Sequence, residues 1–521
     1  MKPKDILPYT DDWELYENGK DYNYAIDLYD TVNTNERFYR GDQWHGVNSA
    51  GLPTPVFNIF KRIINYYSAT IMQSSVKMRY SFASPTASSG VTRQEAENAA
   101  QTLCNIADER WEKLKMDSLL SDAITDAAIT GDAIAYTYWD PTIRTGQMIS
   151  GNFVTALIDN TSVFFGDPNN RSVEKQPYIL IAQRETVADL KRQAEKNGVS
   201  KAVIDKIVSD SETAEQTGDR AANEPLHTKC ISLIKLWKDE NGHIWFRKST
   251  KGAVITNATD TKLTRYPIAY FNWTPVKNSW HGQAVATGLT ENQIFINKSF
   301  AMVMKHMMDT AFSKVVYDNT VIEEWSNRVG EAVAVNGPVE SVAKVISSGQ
   351  MQSGMLDVIN MAISATKEFM GATDTALGEA SPTNTSAILA LQNASNMPLE
   401  NIKRALYSFV EDIGVIWLDF ILAYYDDRRL VSTKNGENAE FAFKKYKNCL
   451  FDCRIDVGAS SYWSEIAALN TLDNLLQSGH ITFLQYLKRL PENIIPAKQE
   501  LIKEAEASAE RNTLNATQNI D

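Results

Sequence analysis

The hydrophobic period of this chain switches from strand-like to helical and back, and that limits the folds open to it. Between Ala133 and about Trp273 apolar and aromatic residues come in short alternating runs, the pattern of half-buried strands. The spacing predicts strands over Ala133–Trp139, Phe153–Ile158, Tyr178–Arg184, Cys230–Asp239, His243–Lys248 and Ile268–Trp273, with a helix at Val187–Lys196. Near Pro275 the period becomes 3.6. Leu289, Ile296, Phe300, Val303, Met307 and Ala311 then share one helical face, with Glu291, Lys298 and Lys305 on the other. This predicts a helix over 289–312 and a second over 354–370. Residues 315–345 between them are short, irregular and acidic, and too few for a core of their own. A long helical stretch, Ser386–Tyr425, is broken at Pro398, because proline removes a backbone donor and clashes with the preceding turn. Strand-like runs near Glu440–Phe443 and Asp452–Val457 follow. The rest is helical from about Trp463, ending in a charged helix near Ala497–Arg511. No internal repeat is present.

Ahead of the strands the chain reads as mostly helical. Residues 1–37 are acidic, rich in tyrosine and helical in part. In Phe38–Met72 a turn carrying Tyr39, Gly41 and Trp44 leads through Gly-Leu-Pro-Thr-Pro to Asn58, whose side chain suits the N-cap of a helix. Ile59, Ile63, Tyr66 and Tyr67 share a face of that helix. Ser81–Thr92 reads as loop. Thr92 and Glu95 form a capping box for a helix to about Met116, and Asp117–Gly131 continues with Leu120, Ile124 and Ala127 or Ala128 facing inward. The charged patch Ser209–Glu224 reads as a mobile surface loop.

The search for chemistry returns little. Gly41-x4-Gly46 has the spacing of a phosphate loop, but Val47-Asn48 stands where Lys-Ser/Thr must follow. The six histidines are dispersed without metal-ligand spacing, and the cysteines (104, 230, 449, 453) read as buried free thiols of a reducing compartment. Adjacent acids such as Asp11-Asp12 and Glu323-Glu324 point apart and read as solvated. No catalytic residue, metal or cofactor is expected. The methionines at 302, 304, 307 and 308 read as helix packing rather than a binding stripe. The net charge of −12 argues against a protein that grips nucleic acid tightly, because such a protein neutralises phosphates with a basic face. Met1–Glu17 is too polar for a signal peptide. The apolar runs Ile294–Met308 and Ile413–Tyr425 are too short to span a membrane and carry Lys298, Lys305 and Asp419.

Several stretches, in order, resemble the portal (head-to-tail connector) family of tailed bacteriophages. They are the Tyr39/Gly41/Trp44 turn before the Asn58 helix; His281-Gly282-Gln283-Ala284 ahead of a long helix with polar Asn292, Gln293 and Asn297; and Gly371–Glu379 with Thr385-Ser386-Ala387. Leu391-Gln392 through Met397-Pro398-Leu399-Glu400 and Leu469–Ile481 follow. Thr385-Ser386 departs from the family's Ser-Gly at that point. The resemblance covers roughly residues 30–510.

It implies an α+β portal fold that forms rings. Its parts are an N-terminal arm and α/β wing (1–285), a first stem helix (286–314), a small clip insert (315–350) and a second stem helix (351–372). A second wing segment with a kinked tunnel helix and loop (373–458) and a helical crown with the C-terminal tail (459–521) complete it. The implied ring, usually a dodecamer, sits at one capsid vertex of the virion, is assembled in the host cytoplasm, and passes double-stranded DNA non-specifically during packaging and ejection. The implied partners are further copies of the chain, the terminase large subunit, head-completion or adaptor proteins, and the major capsid and scaffolding proteins, with no membrane. The tunnel loop would use Asn393, Ser395, Asn396, Met397, Pro398 and Glu400. The channel face of the stem would use Glu291, Lys298 and Lys305, and terminase docking Asp318, Glu323, Glu324, Trp325, Arg328 and Glu331. The alternatives are another virion adaptor of capsid or tail, or a packaging ATPase, which would need the phosphate loop that Val47-Asn48 spoils.

Overall fold

The computed structural model describes residues 9–49, 51–73, 76–84, 91–209, 229–310, 314–322, 338, 342–346, 354–372, 397–432, 438–447, 449–457, 462–490 and 501–502. In chain order its helices are α1 (Tyr9–Ala25), α2 (Leu28–Arg40), α3 (Ile59–Ile71), α4 (Arg93–Leu114), α5 (Met116–Thr130), α6 (Val187–Lys196), α7 (Lys201–Ile204), α8 (Val285–Thr310), α9 (Gly354–Phe369), α10 (Glu400–Tyr424), α11 (Tyr462–Gln477) and α12 (Phe483–Arg489). The strands are β1 (Val76–Ser84), β2 (Asp132–Asp140), β3 (Asn152–Ile158), β4 (Val163–Phe165), β5 (Tyr178–Thr186), β6 (Lys229–Lys238), β7 (Ile244–Thr250), β8 (Val254–Asp260), β9 (Ile268–Asn272), β10 (Lys314–Tyr317), β11 (Ala343–Ile346), β12 (Leu430–Ser432), β13 (Asn438–Glu440) and β14 (Leu450–Val457). The class is α+β. All the pairings between these strands are antiparallel.

Local rules set many of the boundaries. Thr92 accepts from the Glu95 amide while the Glu95 carboxylate accepts from the Thr92 amide, so the expected capping box starts α4. Asn58 caps α3 by accepting from the Lys61 amide at 2.9 Å. The buried face of α3 is Phe60, Ile63, Ile64, Tyr67 and Ile71, rotated from the expected one; Ile59 and Tyr66 are half-buried, because α5 and α8 both press on this helix.

The five-stranded sheet β4-β5-β6-β7-β8 and the three-stranded sheet β3-β2-β9 carry the β texture. The helix α1 is fastened to the larger sheet. Tyr16 packs with Phe164, Leu180 and Leu233, and the Asp12 carboxylate, expected to be solvated, is wholly buried and accepts from Arg247 Nε (2.8 Å), Lys235 Nζ (3.0 Å) and Ser249 Oγ (3.1 Å). The larger core joins α3, α4, α5 and α10 to the smaller sheet. Trp417 is fully buried at its centre, donating to Thr155 Oγ1 at 2.8 Å.

Three expectations are corrected. The strand β1 covers part of the expected loop Ser81–Thr92 and pairs with β14, as Val76, Met78 and Tyr80 alternate inward. The insert 315–345 is not wholly irregular: β10 and β11 close its base as an antiparallel ribbon, Lys314 opposite Ile346. The run at Glu440–Phe443 is a strand only to Glu440, after which Phe443–Tyr446 forms a 3-10 turn. The strand β8 was not legible either; it is a largely half-buried edge whose register comes from β7.

At Gly414 in α10 an added Cβ would lie 2.3 Å from Cys453 Sγ, and the Gly414 carbonyl accepts from Tyr80 OH at 2.7 Å. Alanine is the better helix former by about 1 kcal/mol, but overpacking dominates. Gly414→Ala is expected to destabilise by about 1–3 kcal/mol net, and Cys453→Ala in the same chain to recover most of that. Urea unfolding midpoints of the single and double variants check it.

On α5, burial foremost and then the Asp159, Glu36 and Asp122 carboxylates push Asp126 up to about 7. Its ordinary value is 3.8, so folding favours the neutral acid. The stability it contributes is therefore complete below about pH 4 and lost as pH rises through about 7. Asp126→Asn should stabilise the chain at pH 8 by up to about 4 kcal/mol and change little at pH 4, as read from denaturation at the two pH values.

Candidate functional site

The helix α8 leaves the body through a knot of buried polar groups. Gly131 adopts φ +100°, and a Cβ there would lie 2.5 Å from the Gly282 carbonyl, so the two backbones meet only as glycines. This close approach lets the Asp132 carboxylate gather the start of α8. Its Oδ1 accepts from the Gly282 amide and Asn272 Nδ2, both at 2.7 Å, and its Oδ2 from Asn160 Nδ2 at 3.0 Å. His281 Nδ1 lies 2.7 Å from the same oxygen, its ring against Trp280.

Along α8 a row of polar side chains continues inward. Gln293 Oε1 accepts from the amides of Ile59 and Phe60 (3.1 and 3.2 Å), and its Nε2 donates to the Phe57 carbonyl (2.8 Å) and Asn297 Oδ1 (2.9 Å). Asn297 in turn donates to Gln43 Oε1 at 2.6 Å. One turn earlier Thr290 donates to Asn35, which donates to the Ile129 carbonyl at 2.8 Å. The first amides of a helix have no partner within it. Here Gln293 supplies two for α3 and Asn58 a third, so each helix depends on the other for polar satisfaction. The resemblance drew attention to Gln293 and Asn297 as polar positions; their partners Gln43 and Asn35 carry no signal in the sequence.

Beyond Val303 the character of α8 changes. Met302, Met304, Met307 and Met308 are exposed, the last two at 60% each. The helix α9 packs against α8; it buries Ile359 and Thr366 but exposes Leu356, Val358, Met361 and, at 86%, Phe369. The reading of the four methionines as packing is therefore not met within one chain: the body supports only the first part of α8. Exposed apolar surface of this kind marks an interaction site.

Glu291 and Lys298 are exposed, and Lys305 is half-exposed with an ion pair to Asp309 at 3.1 Å. At the far end of the β10–β11 ribbon Asp318 is exposed and accepts from the Thr320 amide (2.9 Å) and hydroxyl. The hydroxyl foremost holds the carboxyl below its usual range. Glu323, Glu324, Trp325, Arg328 and Glu331 lie outside the described residues, as do Asn393, Ser395 and Asn396. Met397 and Pro398 stand exposed in a 3-10 turn, Glu400 begins α10 exposed, and Leu399 between them is buried. The structure thus gathers Gln293, Asn297 and Asp132 into one fastening, but does not bring the expected clip and tunnel residues into one view.

The family model described as phage P22-like portal protein matches residues 19–485. That is most of the sequence, and the chain belongs to this portal family. No curated protein matches it. Among the described residues no helix is long and apolar enough to cross a membrane.

Gln293→Leu should leave the buried Phe60 amide without its side-chain partner, since the Ile59 amide keeps the Phe57 carbonyl, and cost about 1–3 kcal/mol. Glu291→Gln, on the exposed face, should change stability by less than about 0.5 kcal/mol. Unfolding midpoints test both, and hydrogen exchange at the Phe60 amide should accelerate only in the first variant.

Proposed function

We propose that this chain assembles into a closed ring at one vertex of a phage capsid and that its axis is the route for DNA during packaging and ejection. Membership of the portal family carries this reading, and the exposed apolar ends of α8 and α9 support it. A ring uses two different faces of each copy, so a subunit on its own must leave both uncovered. In this reading the segments are those the resemblance implies: arm and wing 1–285, stem helices within 286–314 and 351–372, clip 315–350, second wing part 373–458 and crown 459–521. Met302, Met307 and Phe369 meet the stem of the neighbouring copy, while Glu291, Lys298 and Lys305 face the channel.

The same reading gives the clip the docking role. Asp318, Glu323, Glu324, Trp325, Arg328 and Glu331 receive the terminase large subunit, and later the head-completion proteins. Asn393, Ser395, Asn396, Met397, Pro398 and Glu400 form the loop that touches DNA. Major capsid and scaffolding proteins meet the outside of the ring. The overall charge of −12 fits a conduit, since each lysine that holds a phosphate must release it at every step. The pairing of Lys305 with Asp309 lowers its hold on DNA further.

Sedimentation of the purified chain tests the assembly. The parent chain should sediment as one large closed species. Met307→Asp with Phe369→Asp should remain a single subunit with an unchanged unfolding midpoint, because both side chains are exposed in the isolated chain. A double variant that still forms the large species would remove these helices from the interface.

A further inference from the structure

Away from α8, a cavity of about 130 Å³ opens between α4, the loop from β2 to β3 and the residues after α10. Its wall carries Arg110, Lys113, Arg144 and Arg429, with Glu109 as an acid. Lys113 is paired with Glu109 one turn away. Positive charge is therefore concentrated here within a chain of net −12.

The two inner arginines are unusual. Arg110 is 5% exposed and Arg429 4%. Each donates one Nη2 hydrogen bond to a backbone carbonyl, Arg110 to Phe153 and Arg429 to Gly151, the latter at 2.7 Å. Each guanidinium lies over an aromatic ring, Phe153 at 5.0 Å and Tyr425 at 4.0 Å. The Nε atoms of both are buried without a hydrogen-bond partner among the described residues, and no carboxylate there lies within ion-pair distance of either. Burial foremost lowers the Arg110 pKa; the Tyr425 hydroxyl and the Glu109 carboxylate oppose this, and the like charge of Arg429 adds a smaller lowering.

Two buried like charges with idle donors are costly unless something of opposite charge completes them. Stacking on aromatic rings offsets part of this but leaves the Nε donors unused. A planar guanidinium fork fits the paired oxygens of a phosphate, which can accept from both arginines at once. The cavity is too small for a base or a sugar to follow the phosphate inward, and the burial of both arginines keeps a duplex backbone out.

We propose that this cavity is a binding site for a phosphate group, clasped between Arg110 and Arg429 with Arg144 at the mouth. The group is inorganic phosphate or the terminal phosphate of a nucleotide.

The full chain is titrated with inorganic phosphate at constant ionic strength, with chloride as the matched control, following the unfolding midpoint and the heat of binding. The midpoint should climb with the logarithm of phosphate concentration, with a saturable heat. Arg429→Gln should weaken phosphate binding about tenfold or more, the loss of a charge-assisted hydrogen-bonding partner. Arg144→Gln, exposed at the mouth and neutral for folding, should weaken it by a smaller factor. The readout is the increment caused by phosphate, which a purely structural role of the arginines would not alter. Tighter binding of a nucleoside diphosphate than of phosphate would support the nucleotide source, and equal or weaker binding the free ion. No increment over chloride in the parent chain would overturn the proposal. So would equal increments in the parent and both variants, or an equal response to acetate.

Discussion

The four hydrogen bonds of Gln293 are the fastening on which the rest of this architecture depends. A long helix can project from a small body only if its root is held firmly, and apolar packing alone would let α8 slide along α3. Gln293 uses its full capacity on the start of α3, and Asn297 continues the seam to Gln43. Each of these buried groups would be expensive to leave unmade, so the seam fixes register as well as position. The Asp132 knot does the same at the first turn, where Gly131 and Gly282 touch.

What the fastening leaves over has consequences for assembly. The root of α8 is buried and polar-matched; its far end, with α9, is apolar and bare. A single subunit therefore holds α8 in place but leaves its far end uncovered. The stability of the unit and the uncovered apolar surface thus fall on different segments of the same helix. The electrostatics divide in a similar way. The acidic excess lies over the chain at large, while buried cations are gathered at Asp12 with Arg247 and Lys235, and at Arg110 with Arg429.

Much of this was legible where the governing physics is local. The box of Thr92 and Glu95, the Asn58 cap, Val187–Lys196 and the strand at Tyr178 need only neighbours in sequence, and they stand as expected. The strand β1 was not legible because its partner β14 comes from the other end of the chain, and its inward set of Val76, Met78 and Tyr80 is interrupted by Lys77 and Arg79. The β10–β11 ribbon is likewise made by pairing across an insert. For the methionines, a period of 3.6 identified the helix but not which half of it has a body to pack against. Arg110 and Arg429 meet only because α4 and the end of α10 are brought together by tertiary packing, so nothing near either residue announces the cavity.

Single-particle images of the purified full-length chain test the central claim most directly. The account predicts closed rings with an axial opening, in which the far halves of α8 and α9 from adjacent copies lie against each other and the Gln293 seam stays inside each copy. Monomers at high concentration, open filaments, or rings in which Met307 and Met361 remain in solvent would contradict it.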